Sequence, residues 1–167
     1  MARNMYWVDG PGSAKLVLAP RPRGADWLAA EIAAWKKAGI GAVLSLLTPE
    51  EERDLGLRNE RKETAALGLG FWSLPIEDRQ VPDSETRFTA ASSKVDAALS
   101  AGTNVLVHCR QGVGRTGLVA VCLLKKNGMS LSAAIEDIST TRGVAVPETV
   151  GQREWLQRYR SCAPQIR

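Results

Sequence analysis

Histidine occurs once in the 167 residues, cysteine three times, and phenylalanine and tyrosine twice each. A single histidine, His108, rules out histidine-rich metal sites, and no Cys-x-x-Cys pair offers a zinc pattern. Cys109, Cys122 and Cys162 do not make a disulfide framework. Long apolar runs are missing too. The longest, Leu118 to Leu124, falls far below the ~20 residues that a membrane-spanning helix needs. The opening MARNMYWVDGPGSAK lacks the apolar core of a secretion signal, so a reducing, cytoplasmic location is expected. Nor is there a dense basic stripe. The 22 basic and 18 acidic residues leave a net charge of +4, too mild for a nucleic-acid partner but compatible with an anionic substrate. No repeat, low-complexity tract or linker divides the chain, so residues 1–167 are expected to form one domain, without metal or cofactor and as a monomer.

What is present alternates between strand and helix patterns. Short strands are expected around Tyr6–Val8 and Leu16–Leu18, separated by Asp9-Gly10-Pro11-Gly12. Asp26 can cap a helix on which Leu28, Ile32 and Trp35 recur at helical spacing, ended by Gly39. The apolar run 41–47 suits a strand buried on both faces. Thr48-Pro49-Glu50-Glu51 starts a helical stretch that breaks near Gly56 and resumes to Leu67. A strand over 70–74 and a charged loop, Pro75 to Pro82, follow. Asp83 or Ser84 can cap a helix carrying Phe88, Val95 and Leu99. A strand over 104–108, a glycine-rich loop and a helix to Asn127-Gly128 come next, and helices near 131–141 and 148–161 close the chain. The expected fold class is therefore α/β, with a central, mostly parallel sheet of about four or five strands and helices on both faces.

The loop is His108-Cys109-Arg110-Gln111-Gly112-Val113-Gly114-Arg115-Thr116-Gly117. Cys-x5-Arg alone is a weak signal. The complete string, between a strand and a helix, is far more specific. Its glycines let a short loop turn backbone N–H groups inward as an anion nest, and the helix behind aims its positive end at the same point. The order is not that of a Walker loop, whose lysine is missing. Instead a thiol opens the loop. A helix N-terminus and an arginine favour thiolate over thiol, so Cys109 is expected to attack phosphorus. Arg115 brings a planar fork for two phosphoryl oxygens, and Thr116 is placed to offer its hydroxyl to the departing sulfur. Arg110 to Arg115 form the candidate phosphate cradle: Arg110, Gln111, Gly112, Val113, Gly114 and Arg115.

This string resembles the signature of the cysteine-dependent protein tyrosine and dual-specificity phosphatases. The small atypical group, with the kinase-associated phosphatases and their bacterial relatives, is the nearest in pattern, over about residues 40 to 160. The resemblance implies a metal-free, two-step reaction through a phosphocysteine. It implies that His108 braces the loop and supports the thiolate. It also implies a general acid on a loop after an Ile-x-Asp-type motif, a position that Asp78 in Pro75-Ile76-Glu77-Asp78 matches. Asp83 and Glu77 are the rivals, Asp83 being better explained as a helix cap and Glu77 as solvent-facing. Gln152 resembles a glutamine that places the attacking water in relatives. Cys122 is expected in the core, with a redox partnership to Cys109 the alternative, and Cys162 as exposed or packed. Arg21, Arg23, Arg79 and Arg142 can rim an anion pocket or lie in solvent.

The expected activity is hydrolysis of phosphotyrosine, with phosphoserine and phosphothreonine as further substrates, in a phosphorylated protein or peptide. A phosphoinositide, inositol phosphate or RNA 5′-phosphate substrate is the alternative within the same chemistry. It is disfavoured because the loop adds only Arg110 as a cation. A phosphoprotein-binding module without turnover is the alternative outside catalysis.

Overall fold

The structure is a computed structural model that describes residues 4–160. Its strands are β1 (Tyr6–Asp9), β2 (Lys15–Pro20), β3 (Ala42–Ser45), β4 (Gly70–Ser73) and β5 (Val105–Cys109). They form one sheet in the order β1-β2-β5-β3-β4. The β1–β2 hairpin is antiparallel, and β2, β5, β3 and β4 run parallel. The Asp9–Gly12 turn closes the hairpin, with Gly12 at φ +70°. Strand β5 is central and every one of its residues is buried, which is why Val-Leu-Val there shows no apolar/polar alternation. Alternation instead sorts its side chains between two cores. Val105, Val107 and Cys109 enter one, and Leu106 enters the other.

The larger core is built against α4 (Glu85–Ser100), α5 (Gly114–Lys126), α6 (Leu131–Arg142) and α7 (Val150–Arg158). Helix α5 is buried from Gly114 to Leu124, including Cys122, whose core placement the sequence anticipates. Phe88 of α4 meets Trp155 and Tyr159 edge-on, and truncation of such a ring costs about 3–5 kcal/mol. The smaller core lies on the opposite face. Leu28, Ile32 and Trp35 of α1 (Leu28–Lys37) pack there with Ile40, Leu57 and Leu69. Two short helices, α2 (Pro49–Asp54) and α3 (Glu60–Ala66), flank the break at Gly56, which has φ +70°. The α/β class, the mostly parallel sheet and helices on both faces are thus as the sequence indicates.

Three local readings change. Asp26 does not cap α1: it lies inside a 3-10 turn, Ala25–Trp27, and α1 begins after Trp27 without a side-chain cap. Within the apolar run 41–47 the strand is Ala42–Ser45; Leu46 still donates to the His108 carbonyl at 2.9 Å and accepts from the Ile76 N–H at 3.1 Å, and the buried chain then turns toward the Thr48 cap of α2. Ser84, not Asp83, caps α4, accepting the Arg87 N–H. Cys162 and residue 161 of the last expected helix lie outside the described residues. Among the described residues no helix is long and apolar enough to cross a membrane.

Candidate active site

The C-terminal end of a central parallel strand, followed by a helix, is where α/β sheets offer a ligand crevice. Here β5 ends on Cys109, buried at 3% exposure. The chain then turns at Gly112, φ +71°, where a Cβ would sit 2.5 Å from the Ala19 carbonyl. Only glycine fits that approach, and it brings the Gly112 N–H to donate to Cys109 Sγ at 3.2 Å. The outside of the loop is held as well. Arg21 N–H donates to the Arg110 carbonyl at 3.3 Å. Arg142, from α6, donates to the carbonyls of Gly112 at 2.8 Å and Gln111 at 3.3 Å, with its guanidinium stacked 3.9 Å over Tyr6. With the carbonyls tied outward, the loop is free to present its N–H groups inward. Helix α5 starts at Gly114 with no side-chain cap, so its first N–H groups are available to an anion.

Arg115 lies on the first turn of α5, its side chain 1% exposed. A buried guanidinium requires partners, and it has three. It makes a bidentate pair with Glu51 at 2.7 and 2.9 Å, donates to the Ile76 carbonyl at 2.8 Å and donates to Asp78 Oδ1 at 3.1 Å. Burial pulls the guanidinium toward the neutral form, but the Glu51 hydrogen bond and the charges of Cys109, Glu51 and Asp78 outweigh it and hold its pKa above the ordinary value. Burial likewise pushes Glu51 up. The Arg115 hydrogen bond, the Thr48 N–H and the charges of Arg115 and Arg110 reverse that and leave its carboxyl below the usual range.

A cavity of about 130 Å³ opens over the sulfur. Cys109, Gln111, Gly114 and Arg115 form its floor, and Asp78, Arg79 and Glu148 its rim. Among the three carboxylates considered for the acid, Asp78 alone lines this space. Glu77 and Asp83 line a different cavity on the far side of the same loop, and Asp83 sits 3.6 Å from Arg87. Asp78 is half exposed at 51% and, among the described residues, tethered only by Arg115, while its neighbour Arg79, at φ +62°, forms a 2.8 Å ion pair with Glu148.

The remaining expected residues divide. Gln111 and Gly114 face the cavity, whereas Arg110 is exposed outside it and Val113 packs against the larger core. Thr116 is fully buried, and its Oγ1 makes no hydrogen bond to the sulfur, whose recorded donor is the Gly112 N–H. Gln152 is buried rather than a surface glutamine. Its Oε1 accepts from Thr149 N–H in the cap of α7, and its Nε2 donates to the Gln80 carbonyl at 3.0 Å, joining α7 to the acid loop. A Cβ on Gly114 would lie 2.9 Å from Gln152 Oε1, so that glycine is what admits the glutamine. His108 points away from the cavity into the smaller core, where Nε2 meets Glu60 Oε1 at 2.7 Å near Trp35. Arg23 pairs with Glu31 and Arg21 bonds the Pro22 carbonyl, so neither lines the cavity.

Glu51, Glu60 and Glu148 are absent from the sequence reading of the site. Thr48-x-x-Glu51 carries a capping-box spacing, and both halves of that box form. The spacing announces the cap; it says nothing of the bidentate reach to a residue 64 positions later. Among the described residues no group of three or more His, Cys, Asp or Glu could hold a metal ion.

Residues 27–162 match the family described as dual specificity phosphatase, catalytic domain. Dual specificity protein phosphatase 2 of Mus musculus is 32% identical over 88 residues, which are 52% of this chain and 28% of that protein. Dual specificity protein phosphatase 1B of Arabidopsis thaliana is 36% identical over 75 residues, 44% of this chain and 45% of its own. The chain thus spans less than half the length of these relatives. Among solved structures, kinase associated phosphatase with serine in place of its catalytic-site cysteine superposes with a TM-score of 0.86 at 23% identity, over 94% of this chain and 93% of that one. The active form of Tk-PTP gives 0.74 at 26% identity, over 95% and 97%.

Proposed function

The chain belongs to the dual specificity phosphatase catalytic-domain family, and from that premise we propose that it hydrolyses phosphomonoesters on protein side chains, phosphotyrosine first, with phosphoserine and phosphothreonine included. The observation that carries the reading is the meeting of Cys109, Arg115 and Asp78 around one cavity at the start of α5. Residues 1–167 act as a single catalytic unit, and a reducing cytoplasm suits its thiolate.

In the first step the Cys109 thiolate attacks phosphorus, the S–P bond forms and the P–O bond to the substrate breaks. Loop N–H groups and the Arg115 fork hold the equatorial oxygens, an arrangement whose hydrogen bonds strengthen as charge develops. An arriving phosphate competes for the Arg115 N–H now given to Asp78. That exchange frees Asp78, which in its protonated form gives its carboxyl proton to the leaving oxygen and is left as the carboxylate, while Glu51 keeps the guanidinium plane fixed through its two bonds. In the second step water attacks phosphorus, Asp78 takes its proton, and the sulfur leaves as thiolate. Gln152, fixed beside Gly114 and the acid loop, supports the placement of that water. Two cations, Arg79 and Arg115, balance two carboxylates, Asp78 and Glu148, around the cavity. That balance suits one phosphate better than a polyphosphorylated inositol ring.

Turnover of an aryl phosphate in the presence of chelator tests the proposal. Cys109→Ser is expected to lose it, and Asp78→Asn to lower kcat by about 10²- to 10⁴-fold. Undiminished turnover by Cys109→Ser sinks the mechanism. A larger loss in Asp83→Asn than in Asp78→Asn moves the acid to Asp83.

A further inference from the structure

The sheet ends at β4, and its outer edge opens into a groove of about 310 Å³, separate from the Cys109 cavity. Gly70 and Leu74 turn their N–H groups inward to the carbonyls of Gly41 and Ser45. Strand alternation therefore turns those of Phe71 and Ser73 outward, into the groove. Cations flank this open edge from both faces. Arg61 of α3 lies on the side of the smaller core, 4.8 Å over the Phe71 ring and donating to its carbonyl at 3.4 Å. Arg87 and Lys94 of α4 lie on the side of the larger core, beside Trp72. Among the described residues neither Arg61 nor Lys94 has a carboxylate at ion-pair distance, and Arg87 has only Asp83 at 3.6 Å.

Charge near a sheet edge often serves to deter pairing. Such gatekeepers stand on the edge strand itself. Here β4 reads Gly-Phe-Trp-Ser, and the cations come from helices above and below it. Arg61 holds the Phe71 carbonyl at 3.4 Å, an exposed bond that an added strand would have to replace, while the outward N–H groups of Phe71 and Ser73 stay open, and the flanks are attractive to one kind of chain. We propose that β4 docks an extended acidic segment of the phosphorylated protein substrate as an added strand. Such a strand would lie ~4.8 Å from β4, its side chains alternating between the two faces. Acidic residues at alternate positions would meet Arg87 and Lys94, and those between them Arg61. Leu74 lines the groove and Asp78 the catalytic cavity, four residues on, so the two lie within ~14 Å of each other. An acidic tract a few residues from the phosphorylated side chain spans that distance. The identity of the ligand as substrate rests on the phosphatase reading; the docking itself does not.

The test therefore measures binding first. Fluorescence anisotropy of the full chain is followed with a labelled, unphosphorylated peptide of repeating Glu-Glu-Val-Val, which places Glu on both faces of the added strand, and with its Gln counterpart. The acidic peptide is expected to bind at least about 10-fold tighter at low salt and to lose most of that at high salt. Arg61→Glu combined with Lys94→Glu is expected to abolish the preference, and Arg61→Gln or Lys94→Gln alone to reduce it about two- to fivefold. A proline in the middle of the peptide, which removes a ladder donor, is expected to weaken binding further. Equal binding of the Glu and Gln peptides, or of the acidic peptide by parent and charge-reversed protein, overturns the proposal. Equal binding of the proline peptide overturns strand addition. Aryl phosphate turnover, which does not touch the groove, is expected to be unchanged in these variants. On phosphopeptides the acidic tract is expected to lower KM with little change in kcat. Absence of turnover by the parent protein together with selective acidic-peptide binding would discard the phosphatase reading and keep the docking strand.

Discussion

Two buried acid–base pairs lie on either side of Cys109, and they are built differently. In front, Arg115 and Glu51 share two hydrogen bonds, and two further guanidinium donors go to the Ile76 carbonyl and Asp78. Behind, His108 and Glu60 share one, and both Glu60 Oε2 and His108 Nδ1 are left without a partner among the described residues. The front pair borders the cavity, with Glu51 12% exposed and Asp78 half exposed, whereas the rear pair is sealed at 0% and 2%. The front arrangement can exchange one partner, Asp78, for a phosphate without exposing an unpaired charge. The rear arrangement has nothing to exchange and fixes β5 against α3 through the residue just before Cys109. The same kind of pair thus borders an exchangeable partner on one side and is sealed on the other.

The sharpest way to break this contrast is Arg115→Lys. Lysine keeps the charge but not the planar fork, so it cannot hold Glu51 bidentately and grip phosphate together. Aryl phosphate turnover is expected to fall by about 10²- to 10³-fold, with a smaller change in thermal midpoint than a variant of the rear pair gives. If Arg115→Lys unfolds the protein more readily than it slows turnover, the front pair is the structural one.

Glu60→Ala examines the other side. Removing one partner of a buried pair leaves the other uncompensated, at a cost of about 3 kcal/mol. For a chain of this size that lowers the thermal midpoint by roughly 6–12 °C. Glu60→Gln retains an acceptor for His108 and is expected to recover most of it. Turnover per folded molecule is expected to drop less than about 10-fold in either variant. A large kcat loss in Glu60→Gln with an unchanged midpoint would mean that the rear pair takes part in the chemistry.

These two pairs also mark where sequence reading succeeded and stopped. Strand, loop and helix around Cys109 are local, written in apolar periodicity, glycine placement and the spacing to Arg115. Sheet membership followed from the same alternation, and the buried faces of α1 and α4 were legible residue by residue as Leu28-Ile32-Trp35 and Phe88-Val95-Leu99. The loop carrying Asp78 was singled out because it follows a strand at the interval the resemblance implies, and the structure brings Asp78 to the cavity that Cys109 lines. What stayed hidden is contact across long separations. Glu51 reads as a first-turn helix carboxylate and Glu60 as the start of a polar helix, yet each closes a pair 64 or 48 residues away. Charge on a short amphipathic helix normally signals solvent, and only the packing of α3 against β4 and α1, and the reach of Glu51 from the first turn of α2 to Arg115, turn these carboxylates inward. Thr116 is a different case: the role expected for its hydroxyl belongs to the departing sulfur of a phosphocysteine, and in this structure the buried hydroxyl makes no hydrogen bond to Cys109.

The smallest expected effect refines the front pair alone. Because Arg115 holds the Glu51 carboxyl below its ordinary value of 4.5, the pair adds stability that is fully present above that value and disappears as pH falls through the lower, folded one. Glu51→Gln lacks this titration but keeps a hydrogen-bonding amide and the Thr48 cap geometry. The unfolding free energy of the parent protein, from urea titration, is therefore expected to exceed that of Glu51→Gln near pH 7, by roughly 1 kcal/mol after solvent screening. The gap should close as pH falls below the ordinary carboxylate range and through the lower, folded value. Glu60→Gln, compared in the same way, gives the rear pair's own profile. A gap for Glu51→Gln that widens on acidification would mean that the carboxyl is protonated in the folded state. It would then serve as a hydrogen-bond donor rather than as the anion that orients Arg115.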